Sequence, residues 1–303
     1  MITVVGSLNM DFVVQVDRLP ARGETTLGRN FQMIPGGKGA NQACAAGKLA
    51  ATTQVRMIGR VGYDPFADHL KASLAAAGVD VSTVMGTQSQ PTGVALIWVE
   101  AKTGQNSIVV ASGANMALHP NDLAGLKTAA IALFQLESPL ETVEAGMKAA
   151  RATGARTILD PAPACPLSRE VLAQVDILTP NESEACLLLG TEPRRVTLRD
   201  APAMAADLLK LGPRAVVLKL GEQGCYYEGS DGDIASPAFT VTPIDTTAAG
   251  DTFNAALAVA LAEGQSMERA LRFANAAAAI SVTRLGAQAS APSRLEVDSF
   301  LAS

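Results

Sequence analysis

The residues best suited to chemistry fall in one stretch, Asp245-Thr246-Thr247-Ala248-Ala249-Gly250-Asp251, with Thr252-Phe253-Asn254 directly after it. The small residues between the two aspartates let a ligand reach the backbone N–H groups of Ala248, Ala249 and Gly250. Where such groups open a helix, they lie at the positive end of its dipole and can hold a phosphate or a developing anion. Asp251, in the first turn, is placed to take a proton from a nucleophile. The same residues also suit a plain helix start, with Asp251 as an N-terminal charge worth roughly a few tenths of a kcal/mol. The stretch alone leaves the two readings level.

Other chemistries lose ground by elimination. The chain has two histidines, His69 and His119, too few for a His-rich metal site or a Ser-His triad, so acid–base work falls to carboxylates. Four scattered cysteines without a C-x-x-C pair read as reduced thiols, with Cys44 and Cys186 in the core. A dinucleotide fingerprint fails because Gly6 is followed by Ser-Leu-Asn. A P-loop fails because Leu49 follows Gly47-Lys48 and Gln42 stands where the first glycine belongs. A formal net charge of −5 argues against nucleic acid and anionic membrane as partners. The apolar start Met1–Gly6 reads as a strand, not a signal peptide, and no run is long enough to span a membrane; a cytoplasmic protein is expected.

The elements that must position these residues alternate between strand and helix. Hydrophobic residues make up 48% and aromatics only 4%, which suits closely packed helices on a mostly parallel sheet. Strands are expected at Ile2–Gly6, Val55–Ile58, Ile131–Leu136, Arg156–Leu159, Asp176–Leu178 and Ala215–Leu218. Helices are expected at Ala40–Leu49, after Asp64-Pro65, after a capping box with proline at N1 in Ser138-Pro139-Leu140-Glu141, and near Asp200–Leu211. The last two helices start near Gly250 and Ser266. The first of these shows one apolar face, Phe253, Ala256, Leu257, Ala260 and Leu261, and Gly264 closes it. Asn9, Asp11, Glu137, Asp160, Asn181 and Gly221 each follow the carboxyl end of an expected buried strand, the edge where open parallel sheets bind ligands. More polar, alternating strands at Phe12–Val16, Gly23–Ile34, Thr92–Glu100 and Ser107–Ala111, the last two joined at Lys102-Thr103-Gly104, interrupt the rhythm as a small separate sheet.

Gly36-Gly37-Lys38-Gly39-Ala40-Asn41-Gln42-Ala43 and the stretch Asp245–Asn254 resemble the two signatures of the ribokinase-like (phosphofructokinase B) sugar kinases. Further segments, Gly6–Asp11, Gln135–Pro139, Asp160–Ala164, Thr179–Glu182 and Val282–Gln288, extend the resemblance over essentially the whole chain. It implies one α/β domain, residues 1–303, with lid strands inserted at about 12–34 and 92–111. It also implies transfer of the ATP γ-phosphoryl group to a sugar hydroxyl, with Asp251 as general base and Ala248, Ala249 and Gly250 as the anion hole. Asn9, Asp11, Gly37, Lys38, Asn41 and Glu137 match sugar-contact positions. Asn181, Lys219, Gly221, Gly224, Gly250 and Asn275 match nucleotide positions. Asp245, Thr247, Ser281, Arg284, Gly286 and Ser290 match a potassium site built largely from carbonyls, and Glu184 a water-mediated link to magnesium. ATP, Mg²⁺ and K⁺ are therefore the expected cofactors.

Several positions keep a second reading. Asn181 and Glu184 also form an N-x-x-E capping arrangement, Lys38 suits a solvated charge, and Glu137 an exposed strand end. Lys219 stands where the family often has a small hydroxyl residue, Asp160 where it often has asparagine, and Ala255 where it often has glycine. The expected substrate is a free pentose, D-ribose, phosphorylated on its primary hydroxyl. Asn9 and Asp11 would share one side of extended backbone and take two neighbouring hydroxyls, and no Lys/Arg cluster awaits a sugar phosphate. Deoxyribose, fructose and nucleoside kinases, and a catalytically silent sugar-binding regulator, are the alternatives. Apolar positions on the small sheet predict a homodimer through the lid.

Overall fold

The computed structural model describes residues 1–102 and 105–303; the turn expected at Lys102-Thr103-Gly104 lies outside the described residues at its last two positions. The chain opens with β1 (Ile2–Val5), β2 (Asn9–Val16), β3 (Arg29–Gly36) and α1 (Lys38–Leu49). Next come β4 (Val55–Gly62), α2 (Pro65–Ala76), β5 (Val79–Asp80), β6 (Val84–Thr87), β7 (Gly93–Glu100) and β8 (Asn106–Ala111). Two 3-10 segments, Gly113–Ala117 and Pro120–Thr128, lead to β9 (Ile131–Phe134), α3 (Leu140–Ala152) and β10 (Arg156–Leu159). The middle of the chain holds α4 (Arg169–Leu172), β11 (Ile177–Leu178), α5 (Glu182–Leu188), α6 (Ala201–Leu209) and β12 (Val216–Lys219). It ends with β13 (Cys225–Gly229), β14 (Gly232–Ser236), α7 (Ala249–Ala262), α8 (Met267–Ser281) and α9 (Arg294–Ala302).

Among the described residues these strands make two sheets. The large one runs β14-β13-β12-β11-β10-β9-β1-β4-β5, with β6 also paired to β4. Pairing from β12 through β5 is parallel, and the β13–β14 hairpin closes one edge in antiparallel fashion. Its central strands are buried on both faces because alternate residues enter different cores. Ile2 and Val4 of β1 pack on one side with Leu257 of α7, and Val5 packs on the other with Val143 and Met147 of α3. That is why these strands read as unbroken apolar runs.

The small sheet runs β3-β2-β7-β8 and holds the four strands expected as a separate unit. β2 and β7 pair in parallel, and the outer pairs are antiparallel. Only Gly6, Ser7 and Leu8 separate β1 from β2, so Asn9 and Asp11 open the small sheet instead of following the first strand as loop residues. The strand expected from Gly23 begins only at Arg29, because its last rung with β2 is Arg29 against Gln15.

Two other expectations are corrected, and two elements are added to those expected. Ser138 does not cap α3: Pro139 takes the N-cap position and the Ser138 hydroxyl is buried without a partner, one residue outside the reach of the N3 amide. α7 is not one-faced, since Asp251 to Ala260 are all buried. It lies between α1, α8 and the sheet, and its alanines let those neighbours approach closely. A further helix, α9, follows α8 behind a Ser293/Glu296 capping box, a signal present in the sequence. The β13–β14 hairpin was likewise marked by Gly229-Ser230-Asp231-Gly232. The remaining boundaries shift by a few residues at most; α1, for example, starts at Lys38.

Candidate active site

Helix α7 begins at Ala248, a left-handed residue (φ 58°, ψ 15°) that turns the chain so that Ala249, Gly250 and Asp251 form the first helical turn. Asp251 is only 6% exposed. Its Oδ2 accepts from Asn41 Nδ2 and its Oδ1 from Gln42 Nε2, both at 3.1 Å. Burial raises its pKa to about 6, Asp160 adds to the rise, and Lys38 with the Gln42 and Asn41 hydrogen bonds opposes it. The carboxylate is thus held by two neutral amides and poised as a base near neutrality.

Gln42, to which the sequence assigned no role in the site, organises this centre. Its second amide proton goes to Asp160 Oδ2 at 3.1 Å, and its own Oε1 accepts from Gln135 Nε2 at 2.7 Å. Asp160 Oδ1 pairs with Lys219 Nζ at 2.9 Å. Two of the three departures from the family pattern, Asp160 and Lys219, are therefore ion-paired with each other. A continuous chain runs from Asp251 through Gln42 and Asp160 to Lys219.

Helix α1 brings Lys38 and Asn41 to the same place, and two glycines permit its approach. A Cβ on Gly39 would lie 2.6 Å from Ser7 N, and one on Gly37 (φ 88°) 2.8 Å from Asn9 N. Glu137 Oε2 accepts from Lys38 N at 3.0 Å and from the Ser7 hydroxyl, so Glu137 is not a free strand end. Burial opposes the charge on half-buried Lys38, but Asp251, Asp160, Glu137 and Glu184 together hold its pKa above the ordinary lysine value. Lys38 is accordingly not a solvated surface charge. Asp11 packs against Gly36; burial first and Glu137 second raise its pKa to about 7. Asn9 Oδ1 accepts from Asn115 Nδ2 at 2.7 Å, and Asn115 also accepts from Leu8 N at 2.9 Å. Asn115 carried no signal in sequence, being one asparagine in a turn after β8. Asn41 Oδ1 is buried with no partner among the described residues, an acceptor that a substrate hydroxyl would satisfy.

On the other side of the α7 start lies a cavity of about 760 Å³, lined by Lys219, Gly221, Gly224, Ala249, Gly250, Phe253 and Asn275 among others. A second cavity of about 450 Å³ is lined by Lys38, Asp160, Asn181, Glu184 and Asp251. Lys219, Gly221, Ala249 and Gly250 wall both. Asn275 Nδ2 donates to Ser236 O at 3.0 Å and Pro237 O at 3.2 Å, which ties the end of β14 to α8 and shapes the larger cavity. Gly224 (φ 95°) sits so close to Ser236 that a Cβ would meet its carbonyl at 2.1 Å. Asn181 and Glu184 form a complete capping box on α5, so the cap reading accounts for their conformation while they line the smaller cavity. Burial and Asp160 raise the Glu184 pKa, and Lys219 opposes them.

Asp245 and Gly286 are brought together: Asp245 Oδ2 accepts from Gly286 N and Oδ1 from Thr247 N, each at 2.9 Å. These hydrogen bonds outweigh burial and lower the Asp245 pKa. The hydroxyls of buried Ser281 and Ser290 donate to Ala278 O and Ala287 O at 2.8 Å. The Arg284 side chain turns away to pair with Glu296, so only its backbone faces the loop. Lys48 donates to Gln288 O at 2.7 Å and Ala291 O at 3.1 Å and anchors this loop to α1. Among the described residues no group of three or more His, Cys, Asp or Glu side chains is arranged to hold a metal ion. No helix among them is long and apolar enough to cross a membrane.

Comparison with known proteins covers the same span. The pfkB family carbohydrate kinase profile matches residues 1–294. The chain is 43% identical to a ribokinase of Bacillus subtilis over 304 residues, 99% of each protein. It is 34% identical to a deoxyribokinase of Salmonella typhi over 305 residues, 99% of this chain and 98% of that one. Its fold matches an Arabidopsis thaliana ribokinase solved with ribose and ATP, with a TM-score of 0.91 at 37% identity, covering 99% of this chain and 98% of the other.

Proposed function

The chain belongs to the pfkB family of carbohydrate kinases, and on that premise we propose that it transfers the γ-phosphoryl group of ATP to the primary hydroxyl of D-ribose. The observation that carries this reading is the Asp251 carboxylate, buried at the first turn of α7 with its pKa raised to about 6, held by the Asn41 and Gln42 amides and lining a cavity that Lys38, Lys219 and Gly221 also wall. Asp11 and Asn9, adjacent on one face of β2, hold a pair of ring hydroxyls, and Asn41 Oδ1 accepts a third hydroxyl proton. Asp251 takes the proton of the reacting hydroxyl. The N–H groups of Ala248, Ala249 and Gly250 meet the negative charge that spreads over the transferring group, which is where most catalysis of phosphoryl transfer arises.

Asp160 and Glu184, which line the smaller cavity, would hold magnesium through its waters, and the ion would supply neutralising charge to the phosphates. The segment at Asp245–Thr247 and the one at Arg284–Ser290, joined by the Gly286 N–H to Asp245 hydrogen bond, suit a monovalent cation such as potassium, which would stiffen the stretch leading into the anion hole. The enzyme acts in the cytoplasm as a homodimer paired through the small sheet.

Steady-state kinetics with ATP and a panel of ribose, 2-deoxyribose, fructose and a nucleoside test the assignment. Ribose gives the highest kcat/KM, and 2-deoxyribose falls at least about tenfold lower because Asp11 is left desolvated and unpaired, a penalty of roughly 1–3 kcal/mol. Asp11→Ala narrows that gap. A preference for deoxyribose or a hexose would transfer the same mechanism to another sugar. An enzyme that consumes no ATP with any of them would be a sugar-binding regulator.

A further inference from the structure

Asn115 lies where the chain leaves the small sheet, in the 3-10 segment after β8, and it grips the crossing by which the chain enters that sheet. It is buried, and every hydrogen-bonding group of its amide is engaged. Its Oδ1 accepts from Leu8 N at 2.9 Å, while its Nδ2 donates to Leu8 O at 3.2 Å and to Asn9 Oδ1 at 2.7 Å. A backbone N–H only donates and a carbonyl only accepts, so the two Leu8 groups dictate which end of the Asn115 amide is which. That orientation is passed on. Asn115 Nδ2 has only protons to offer, so the end of Asn9 that meets it is the oxygen. Asn9 Nδ2 is left without a hydrogen-bond partner among the described residues, and so is the Asp11 carboxylate two residues along β2. Gly93, opposite Asn9 on β7, keeps the space for this amide pair: a Cβ there would lie 2.2 Å from Asn9 Oδ1 and 2.4 Å from Asn115 Nδ2.

We propose that Asn115 is a positioning residue for sugar recognition: it fixes the Asn9 amide so that Asn9 meets the substrate only as a donor, beside Asp11, which meets it as an acceptor. This rests on the sugar-kinase reading above and adds a direction to it. Of two neighbouring hydroxyls, one accepts a proton from Asn9 and the other gives one to Asp11. An amide free to turn would present its oxygen as often as its nitrogen and would pay to be ordered each time a sugar bound. Here the ordering is built into the joint between the two sheets before any sugar arrives. Asn115 itself touches no substrate in this scheme; it acts through Asn9.

A double-mutant cycle in steady-state kinetics tests this on the full-length protein with ribose and ATP. Asn115→Ala is expected to raise the KM for ribose about fivefold or more while kcat stays within about twofold, because the chemical step is untouched. On an Asn9→Ala background the same substitution should change KM by less than about twofold, since the group it orients is gone. An equal rise on both backgrounds, or a fall in kcat with KM unmoved, would overturn the proposal. Gly93→Ala keeps both amides and pushes them apart, so it should reproduce the pattern if Asn115→Ala does not fold. Side-chain amide NMR of the unaltered protein gives a readout independent of any variant. The Asn115 NH₂ protons should exchange slowly with water in the free protein, and those of Asn9 should become protected only when sugar is added. Asn9 protons already protected and unmoved by sugar would show the amide turned the other way and end the idea. Should another sugar of the panel be preferred, the ribose reading fails, and the same cycle on that sugar decides the role of Asn115. A cycle without coupling removes that role and leaves the ribose reading standing.

Discussion

At the scale of single residues the centre is a set of carboxylates kept from acting as ordinary surface charges. Asp251 has no cationic hydrogen-bond partner, only the amides of Asn41 and Gln42, so its proton affinity is set mainly by burial. Asp251→Asn preserves shape and hydrogen-bonding volume but removes the base, and kcat should fall by roughly 10²–10⁴ with sugar affinity retained. Wild-type kcat should fall in turn as pH drops below about 6. Stopped-time assays and calorimetric sugar titrations check both, and an Asp251→Asn enzyme within tenfold of wild type would defeat the assignment. Asp11 illustrates what such a site costs in stability. Its folded pKa, about 7, exceeds the unfolded value of 3.8, so the native state binds more protons between those values and stability declines as pH rises through that window. Asp11→Asn should therefore melt at a higher temperature than wild type at pH 8 without sugar, by about 1 kcal/mol or more after allowance for partial solvent access, and show no such gain near pH 4.

At the scale of elements, the site depends on how three segment ends converge: the start of α1, the start of α7 and the Gly6–Leu8 crossing between the sheets. Gly39 is where α1 touches that crossing, and its missing Cβ would meet backbone atoms of Ser7 and Gly6, which cannot swing aside. Gly39→Ala should destabilise the protein by roughly 1–3 kcal/mol and lower kcat/KM, because Lys38, Asn41 and Gln42 move together with the helix. A Gly39→Ala protein with wild-type melting and kinetics would show that the crossing tolerates displacement. The Ala40 N to Ser7 O hydrogen bond of 2.8 Å binds the same two segments and makes such tolerance unexpected.

At the scale of the whole molecule, the small sheet leaves a group of apolar side chains uncovered. Phe31 and Met33 on β3, Leu96 on β7, and Ile108, Val109 and Val110 on β8 are all exposed, at 43–60% of their surface. A four-stranded sheet with apolar residues on both faces is too thin to bury them unaided, so a second copy of the sheet is expected against it. Ile108→Glu with Val109→Glu puts one charge on each face of the β8 edge and should give a monomer by light scattering, with a raised KM for sugar. A wild-type protein that is already monomeric at micromolar concentration would end the idea.

What the sequence determined by itself was whatever depends on neighbours in the chain. Apolar runs fixed by parallel pairing, the Asp64-Pro65 helix start, the four odd strands, and the small-residue turn into Asp251 all follow from local sterics, capping and periodicity. The resemblance to the family assigned Lys38, Asn41, Glu137 and Asp251 to one site, from stretches far apart in the chain. Tertiary structure decided the partnerships. Gln42 bridges carboxylates 118 and 209 residues away, and Lys219 finds Asp160 across 59. Asn115 was a turn residue until the fold set it against Asn9. The same holds for Ser138, whose local capping pattern lost to a helix that starts one residue later, and for α7, whose polar-looking side is buried by α1 and α8. Such contacts carry no periodicity, because their energy comes from excluding water among groups that only the packed sheet edge brings within hydrogen-bond reach.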